Sequence, residues 1–341
     1  MKKLLVAIVL GLGAVLILLA LSARPSGREV IVYTALDRAF SEPILDTFTR
    51  ETGIRVRAKY DEEATKTLGL VSAIRAEAAR PRCDVFWNNE IVNTIRLKRE
   101  GLLAPFHPEA AKDYPAEFRD PEHFWHGFAA RARVILVNTD LVKEGEEPRS
   151  IRDLADPKWK GRVGIAKPLF GTTATHAACL FAELGPDRTR AFFRSLKENG
   201  IRIETGNKQC ALNVAAGRLA FALTDTDDAI IEVERGAPVK IVYPDAEPGG
   251  LGVLFIPNTL ALVKGGPNPE NGRRLIEYLL SPEVEEALAR CPSAQIPLNP
   301  AVPAAARVKT PRDVPAMRVD FAAAAKDFQK AAAFIEESFL K

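Results

Sequence analysis

Recognisable catalytic patterns are missing from this chain of 341 residues. GxSxG, HExxH and GxxxxGK[ST] do not occur, and no Cys–His spacing joins a nucleophile to a base. Paired carboxylates in a cleft are the one route left to catalysis, and nothing identifies a bond they would act on. Cysteine is scarce: Cys83, Cys179, Cys210 and Cys291 show neither CxxC nor CxH spacing, which argues against structural zinc. A Cys179–Cys210 disulfide between neighbouring helices is one reading of them, and buried free thiols are the other. No long basic stripe occurs, and Lys2 and Lys3 supply two of the positives in a formal net charge of +3, so nucleic-acid binding has no support. Repeats and low-complexity tracts are also missing. With 47% hydrophobic and 27% charged residues the composition is globular, and the length suits two domains.

One long apolar run is present. Lys2 and Lys3 precede the uncharged stretch 4–21, and Ala20 and Ser22 are small residues placed for cleavage after Ser22. The run also reaches the minimum length of a spanning helix, so residues 1–22 read as a cleaved signal peptide or as an N-terminal anchor. Either way the chain from residue 24 onward is expected outside the cytoplasm by the positive-inside rule. No cysteine follows the run, which argues against a lipid-anchored lipoprotein.

Beyond the leader, strand and helix patterns alternate. Residues 29–33 read as a strand, and a helix is expected to start at Ser41-Glu42-Pro43, carry Ile44, Leu45 and Phe48 on its apolar stripe, and stop at Gly53. Residues 54–60 alternate apolar positions with Arg55, Arg57 and Lys59, the mark of a strand with one wet face. Helices are expected over 65–79 and 90–100, with a strand over 84–87 between them. Residues 127–138 and 252–263 form two long extended passages that bracket a self-contained run of alternating strands and helices. A final helix is expected over 320–339. This alternation predicts α/β layers around mostly parallel sheets. The bracketing predicts a discontinuous first lobe, 28–130 with 257–300, a second lobe over 131–256, and a helical segment over 301–341. The long passages would cross between the lobes, and a single continuous sheet through both segments would contradict that division.

Carboxylates crowd one junction. In LTDTDDA, residues 223–229, Asp225, Asp227 and Asp228 follow an apolar run and precede a helical pattern. One cap and one dipole partner suffice to start a helix, so three acids point to a bound cation or to nearby arginines. Asp225 and Asp228 are expected to face a ligand, with Asp227 turned away to serve the helix. Comparable strand-to-helix junctions at 34–37, 63–66 and 88–90 nominate Asp37, Glu63, Asn89 and Glu90; for Glu63 and Glu90, capping or dipole pairing is the competing reading. GTTATHAA, residues 171–178, opens a helix with Gly171, Thr172 and Thr173, whose N–H and hydroxyl groups suit an anion or simply cap the helix. Arg131 and Arg133 share one face of the first long passage, where an arginine grips an anionic ligand or pairs with the acids. His176 is a metal candidate, and Trp87 either stacks on an organic ligand or packs in the core.

VIVYTALDRAFSEPILDTFTRETGIRV, then DVFWNNE with EGLLAPF, then SIRDLADPKWKGRVGIAKP stand in this order along the chain. Together they resemble the periplasmic solute-binding proteins of ABC transporters, in the extracellular solute-binding family 1 branch that includes the ferric-iron binders. The resemblance runs over most of residues 29–300. It implies the two-lobe periplasmic-binding-protein fold of type II, in which α/β lobes close like a hinge on a ligand in the cleft. It also implies a non-enzymatic, monomeric receptor in the periplasm that hands a small ligand or metal to an inner-membrane ABC permease. Ferric binders of this kind coordinate the metal with two adjacent tyrosines in the second lobe. This chain has no such pair: its tyrosines are Tyr33, Tyr60, Tyr114, Tyr243 and Tyr278, and the aligned position holds the acids of LTDTDDA. Hard Fe³⁺ favours anionic oxygen, so carboxylates can replace phenolates.

The expected ligand-binding set is therefore Asp37, Glu63, Asn89, Glu90, Arg131, Thr172, Thr173, Asp225 and Asp228, with Glu90, Asp225 and Asp228 as metal ligands. Ferric iron is the first expected ligand, carried as cargo with a synergistic anion and not as a cofactor. A thiamine-like or polyamine-like cation, or a phosphonate, is the alternative; a cleft enzyme using carboxylates ranks last.

Overall fold

The computed structural model describes residues 27–61, 68–303 and 307–341, so the expected leader and Glu63 lie outside the described residues. In chain order, β1 (Glu29–Thr34), α1 (Arg38–Thr52), β2 (Arg55–Tyr60), α2 (Leu68–Ala76), β3 (Val85–Asn88), α3 (Val92–Arg99) and β4 (Leu103–Ala104) lead to a long strand, β5 (His126–Asn138). There follow β6 (Val163–Ala166), α4 (Gly171–Leu184), α5 (Pro186–Glu198), β7 (Arg202–Glu204), α6 (Asn207–Ala215), β8 (Phe221–Asp225), α7 (Thr226–Glu234) and β9 (Val239–Val242). The strand β10 (Phe255–Val263) then precedes α8 (Pro269–Leu279), α9 (Pro282–Arg290) and α10 (Phe321–Phe334). No helix among the described residues is long and apolar enough to cross a membrane.

The expected alternation is present, with some boundaries moved. α1 starts at Arg38 and not at Ser41, which leaves Pro43 inside the helix. Ser41 is buried and its hydroxyl donates to the carbonyls of Leu36 and Asp37, so it closes the first turn where a cap was expected. Gly53 ends the helix in the left-handed region at φ 70°, donating its N–H to the carbonyl of Thr49. β2 alternates exposed Arg55, Arg57 and Lys59 with half-buried Val56, Ala58 and Tyr60. It lies at the edge of the sheet, where exposed cationic side chains discourage pairing with another chain.

The strand order is β2-β1-β3-β10-β5-β8-β6-β7, with β4 also on β10 and β9 also on β5. β1 pairs in parallel with β2 and β3, and β6 in parallel with β7 and β8, while β5 and β10 run antiparallel to their neighbours. This is one continuous hydrogen-bonded path, which corrects the expectation of separate sheets in the two segments. The reason is β5 itself. Its first seven residues pair with β10, and from Arg133 onward it pairs with β8 and β9, so one strand belongs to both halves. All thirteen residues of β5 are buried, which accounts for its apolar text on both faces.

Two apolar clusters carry the fold. One gathers Ile95, Leu97, Phe181, Phe193 and Phe221 with Phe328 and Ile335 from the C-terminal region. The other gathers Phe48, Trp87, Phe128, Leu136, Leu275 and Leu288. Trp87 is fully buried, its ring centroid 5.5 Å from that of Phe128, so it is core and not a stacking surface for ligand. α10 packs on both α3 and α4, with the Arg96 guanidinium 4.6 Å from the Phe328 ring centroid. The four cysteines are unpaired; Cys83, Cys179 and Cys210 are buried, as free thiols commonly are.

Candidate ligand cleft

Four strands end at one place. Leu36 and Asp37 follow β1, Asn89 follows β3, Ala166 ends β6 and Asp225 ends β8. Four helices begin there: α1 after Asp37, α4 at Gly171, α6 at Asn207, and α7 after Asp225. Together with Arg131 of β5, residues at these ends line a cleft of about 560 Å³, counting the space at its open mouth. The carboxyl ends of strands and the N-termini of helices are where open α/β sheets take their ligands.

The floor is a network centred on Arg133, which is completely buried. Arg133 and Asp225 face each other as register partners across β5 and β8, and Arg133 Nη1 donates to Asp225 Oδ1 at 2.6 Å. The same nitrogen reaches Asn207 Oδ1 at 3.0 Å and Thr172 Oγ1 at 3.3 Å, while Nη2 reaches Thr173 Oγ1 at 3.3 Å. Asp225 Oδ2 accepts from the Thr172 hydroxyl at 2.5 Å and from Asn207 Nδ2 at 2.9 Å. Asp225 precedes α7 as its cap residue, yet its side chain makes no capping bond. Its charge is held by Arg133. Removing one partner of such a buried pair typically costs about 3–5 kcal/mol, because the other is left uncompensated.

Arg131, two residues earlier and also buried, reaches the other way. Its Nη1 donates to the Asn89 carbonyl at 2.7 Å and its Nη2 to Gln295 Oε1 at 3.1 Å, while Nε lies 3.2 Å from Asp227 Oδ2. Gln295 Nε2 also donates to Asp227, at 3.3 Å. Asp225, Asp227 and Asp228 each offer a carboxylate oxygen, and the three oxygens lie within 4.8 Å of one another. With Asp37 on the opposite wall, four carboxylates and two guanidinium groups meet at the cleft.

The cleft thus brings together Asp37, Asn89, Arg131, Thr172, Thr173, Asp225 and Asp228. Glu90 is the exception, and its expected place as a metal ligand is corrected. It is completely buried, and its two oxygens accept from the N–H groups of Val92 and Asn93, the Asn88 amide and the Thr175 hydroxyl. It closes the start of α3 and ties that helix to α4. Asp227 is corrected in the opposite sense: it lines the same cleft as its neighbours and pairs with Arg131. Both arginines pair with acids, the second of the two roles weighed for them. His176 lies behind the cleft wall, lining an apolar cavity with Thr173, Leu180 and Phe193. Its Nδ1 is buried without a hydrogen-bond partner, and burial, reinforced by the charge of Arg133, pushes its pKa down to about 3. Asn207 was missed; the only sequence signal was a polar residue after Gly206 at a helix start. No tyrosine or histidine is among the described residues lining the cleft.

Comparison with known proteins adds to this geometry. The family model described as bacterial extracellular solute-binding protein matches residues 93–327. Iron uptake protein A1 of Synechocystis sp. is 29% identical over 276 residues, which is 77% of this chain and 74% of that protein. A putative 2-aminoethylphosphonate-binding periplasmic protein of Salmonella typhi is 29% identical over 283 residues, 80% of each chain. The crystal structure of iron-bound HitA from Pseudomonas aeruginosa superimposes with a TM-score of 0.81 at 25% identity, covering 90% of this chain and 99% of that one. The two-lobe binding-protein architecture expected from the sequence is that of these structures, and the family is one of solute-binding proteins.

Proposed function

Because this chain belongs to the bacterial extracellular solute-binding proteins, we propose that it is a periplasmic receptor that captures ferric iron together with an oxyanion and delivers them to an inner-membrane ABC permease. The observation that carries this reading is the aspartate triplet, three carboxylate oxygens within 4.8 Å of one another lining one cleft. Hard trivalent iron favours anionic oxygen, and carboxylates supply it where phenolates are missing. Asp225 is held from behind by Arg133, Thr172 and Asn207, so Asp227 and Asp228, both half-buried, are the residues that reach the metal. An oxyanion bound beside the iron completes its oxygen coordination. The start of α4 at Gly171, Thr172 and Thr173, with Arg131 beside it, suits that anion. Relatives and structural neighbours named for iron support the same choice of cargo. The parts of the sheet on either side of β5 then act as two lobes of a monomer, hinged where β5 and the passage into β10 run side by side.

Metal analysis of the purified protein, coupled to a thermal-shift screen, tests this. About one iron per chain and stabilisation by ferric citrate are expected, with none from thiamine or polyamines. A second reading has its own support. The cleft presents carboxylates and helix N-termini side by side, which also suits a zwitterion with an amine and a phosphonate, and one relative is named for such a ligand. Stabilisation by 2-aminoethylphosphonate in metal-free buffer, without any by iron, decides for that reading.

A further inference from the structure

Three of the four histidines in the chain, His107, His123 and His126, gather at one place that the cleft does not use. His123 and His126 have ring centroids 6.2 Å apart, and His107 stacks on His123 at 3.6 Å. His126 opens β5 and is buried, with Nε2 3.0 Å from the Phe106 carbonyl oxygen. A carbonyl only accepts, so Nε2 carries the proton and Nδ1 presents its lone pair; that Nδ1 is buried and has no hydrogen-bond partner. His123 holds φ at 61°, in the left-handed region that a residue other than glycine uncommonly occupies.

We propose that His123 and His126, completed by His107, form a second cation site, specific for a borderline divalent ion of tetragonal geometry such as Cu²⁺ or Ni²⁺. Imidazole suits these ions, whereas the carboxylates of the cleft suit harder ones. A histidine that donates one ring N–H to a backbone carbonyl and offers the other nitrogen is the usual arrangement of a metal-binding imidazole, and His126 has it. Two imidazoles on nearly opposite sides of one ion, at metal–nitrogen distances of about 2.0–2.1 Å, have centroids roughly 6–6.5 Å apart, and the His123–His126 separation of 6.2 Å matches that arrangement. The His107–His123 stack is too close for shared ligation, so His107 swings out to become the third donor; its side chain is exposed, and such rotamer changes are fast. Arg119, the cation that acts on His123, donates to the carbonyls of Ala111 and Lys112, and the Lys98 ammonium group is engaged by Asp120 at 2.7 Å and Glu122 at 3.4 Å. His126 precedes Arg131 by five residues, which along a strand is about 16 Å, so this site and the cleft fill independently.

The test is calorimetric titration of the metal-stripped protein with Cu²⁺, with electron paramagnetic resonance on the product. One equivalent bound with nitrogen hyperfine coupling is expected. His123→Asn keeps a residue that tolerates the left-handed backbone, and it should weaken binding by about tenfold or more, since even partners behind a metal ligand are worth that much. His107→Ala should weaken it less, and His176→Leu, at the one remaining histidine, not at all. Absence of stoichiometric uptake, unchanged affinity in His123→Asn, or loss of uptake in His176→Leu would each overturn the proposal.

Discussion

Arg131 and Arg133 stand two residues apart on β5 and do different work. Arg133 is sealed under the cleft with Asp225, Asn207, Thr172 and Thr173, so it fixes one acid of the triplet as a platform. Arg131 reaches Asp227 and the Asn89 carbonyl, placing a cation in the wall itself. Behind that wall, His176 gives a test through pH. Its folded pKa of about 3 lies below the ordinary 6.5, so between those values the unfolded chain binds a proton that the native one refuses. Stability is therefore lost as pH falls from 6.5, by at most about 1.4 kcal/mol per pH unit from this residue. His176→Leu should leave stability at pH 7 unchanged or higher, because the orphan Nδ1 disappears from an apolar cavity, and should flatten the decline toward pH 4. Urea unfolding at several pH values measures both. An equally steep decline in the variant would show that His176 does not titrate on unfolding.

Among the elements, α3 shows how a site residue and a structural one look alike in sequence. Glu90 sits at the same kind of junction as Asp225, yet its oxygens serve the first N–H groups of α3 and the Thr175 hydroxyl of α4. Glu90→Gln places an amide against those N–H groups, and a loss of about 1.5–3 kcal/mol in stability is expected from bonds to a charged acceptor. Ligand affinity of the folded variant, by titration, should stay within about twofold; a tenfold loss would return Glu90 to the ligand shell. Much of the fold was legible because its signals are local. The apolar text of residues 127–138 gave β5, and the alternating arginines gave β2 with its wet face. The crowding of acids in LTDTDDA likewise located the cleft. What stayed hidden depends on partners distant in sequence. Asp227 faces the cleft because Arg131 and Gln295 hold it there, and neither is within reach of a helical-turn argument. The shared role of β5 is equally nonlocal, since only pairing shows that one strand serves both halves of the sheet.

At the scale of the molecule, two halves share β5, and α10 spans from α3 to α4 on one face. The cleft opens between those halves, with Asp37 and Asn89 from one and the triplet from the other. Under the proposed function these facing carboxylates select a cation. The sign of the response to neutralising Asp228 measures that selection most directly. In calorimetric titration with ferric iron supplied as a weak chelate, Asp228→Asn should bind about ten- to a hundredfold more weakly than the unaltered protein, the equivalent of about 1.5–3 kcal/mol for one charge-assisted contact. Unchanged or tighter binding by Asp228→Asn would contradict the assignment of the triplet as the cation-holding wall.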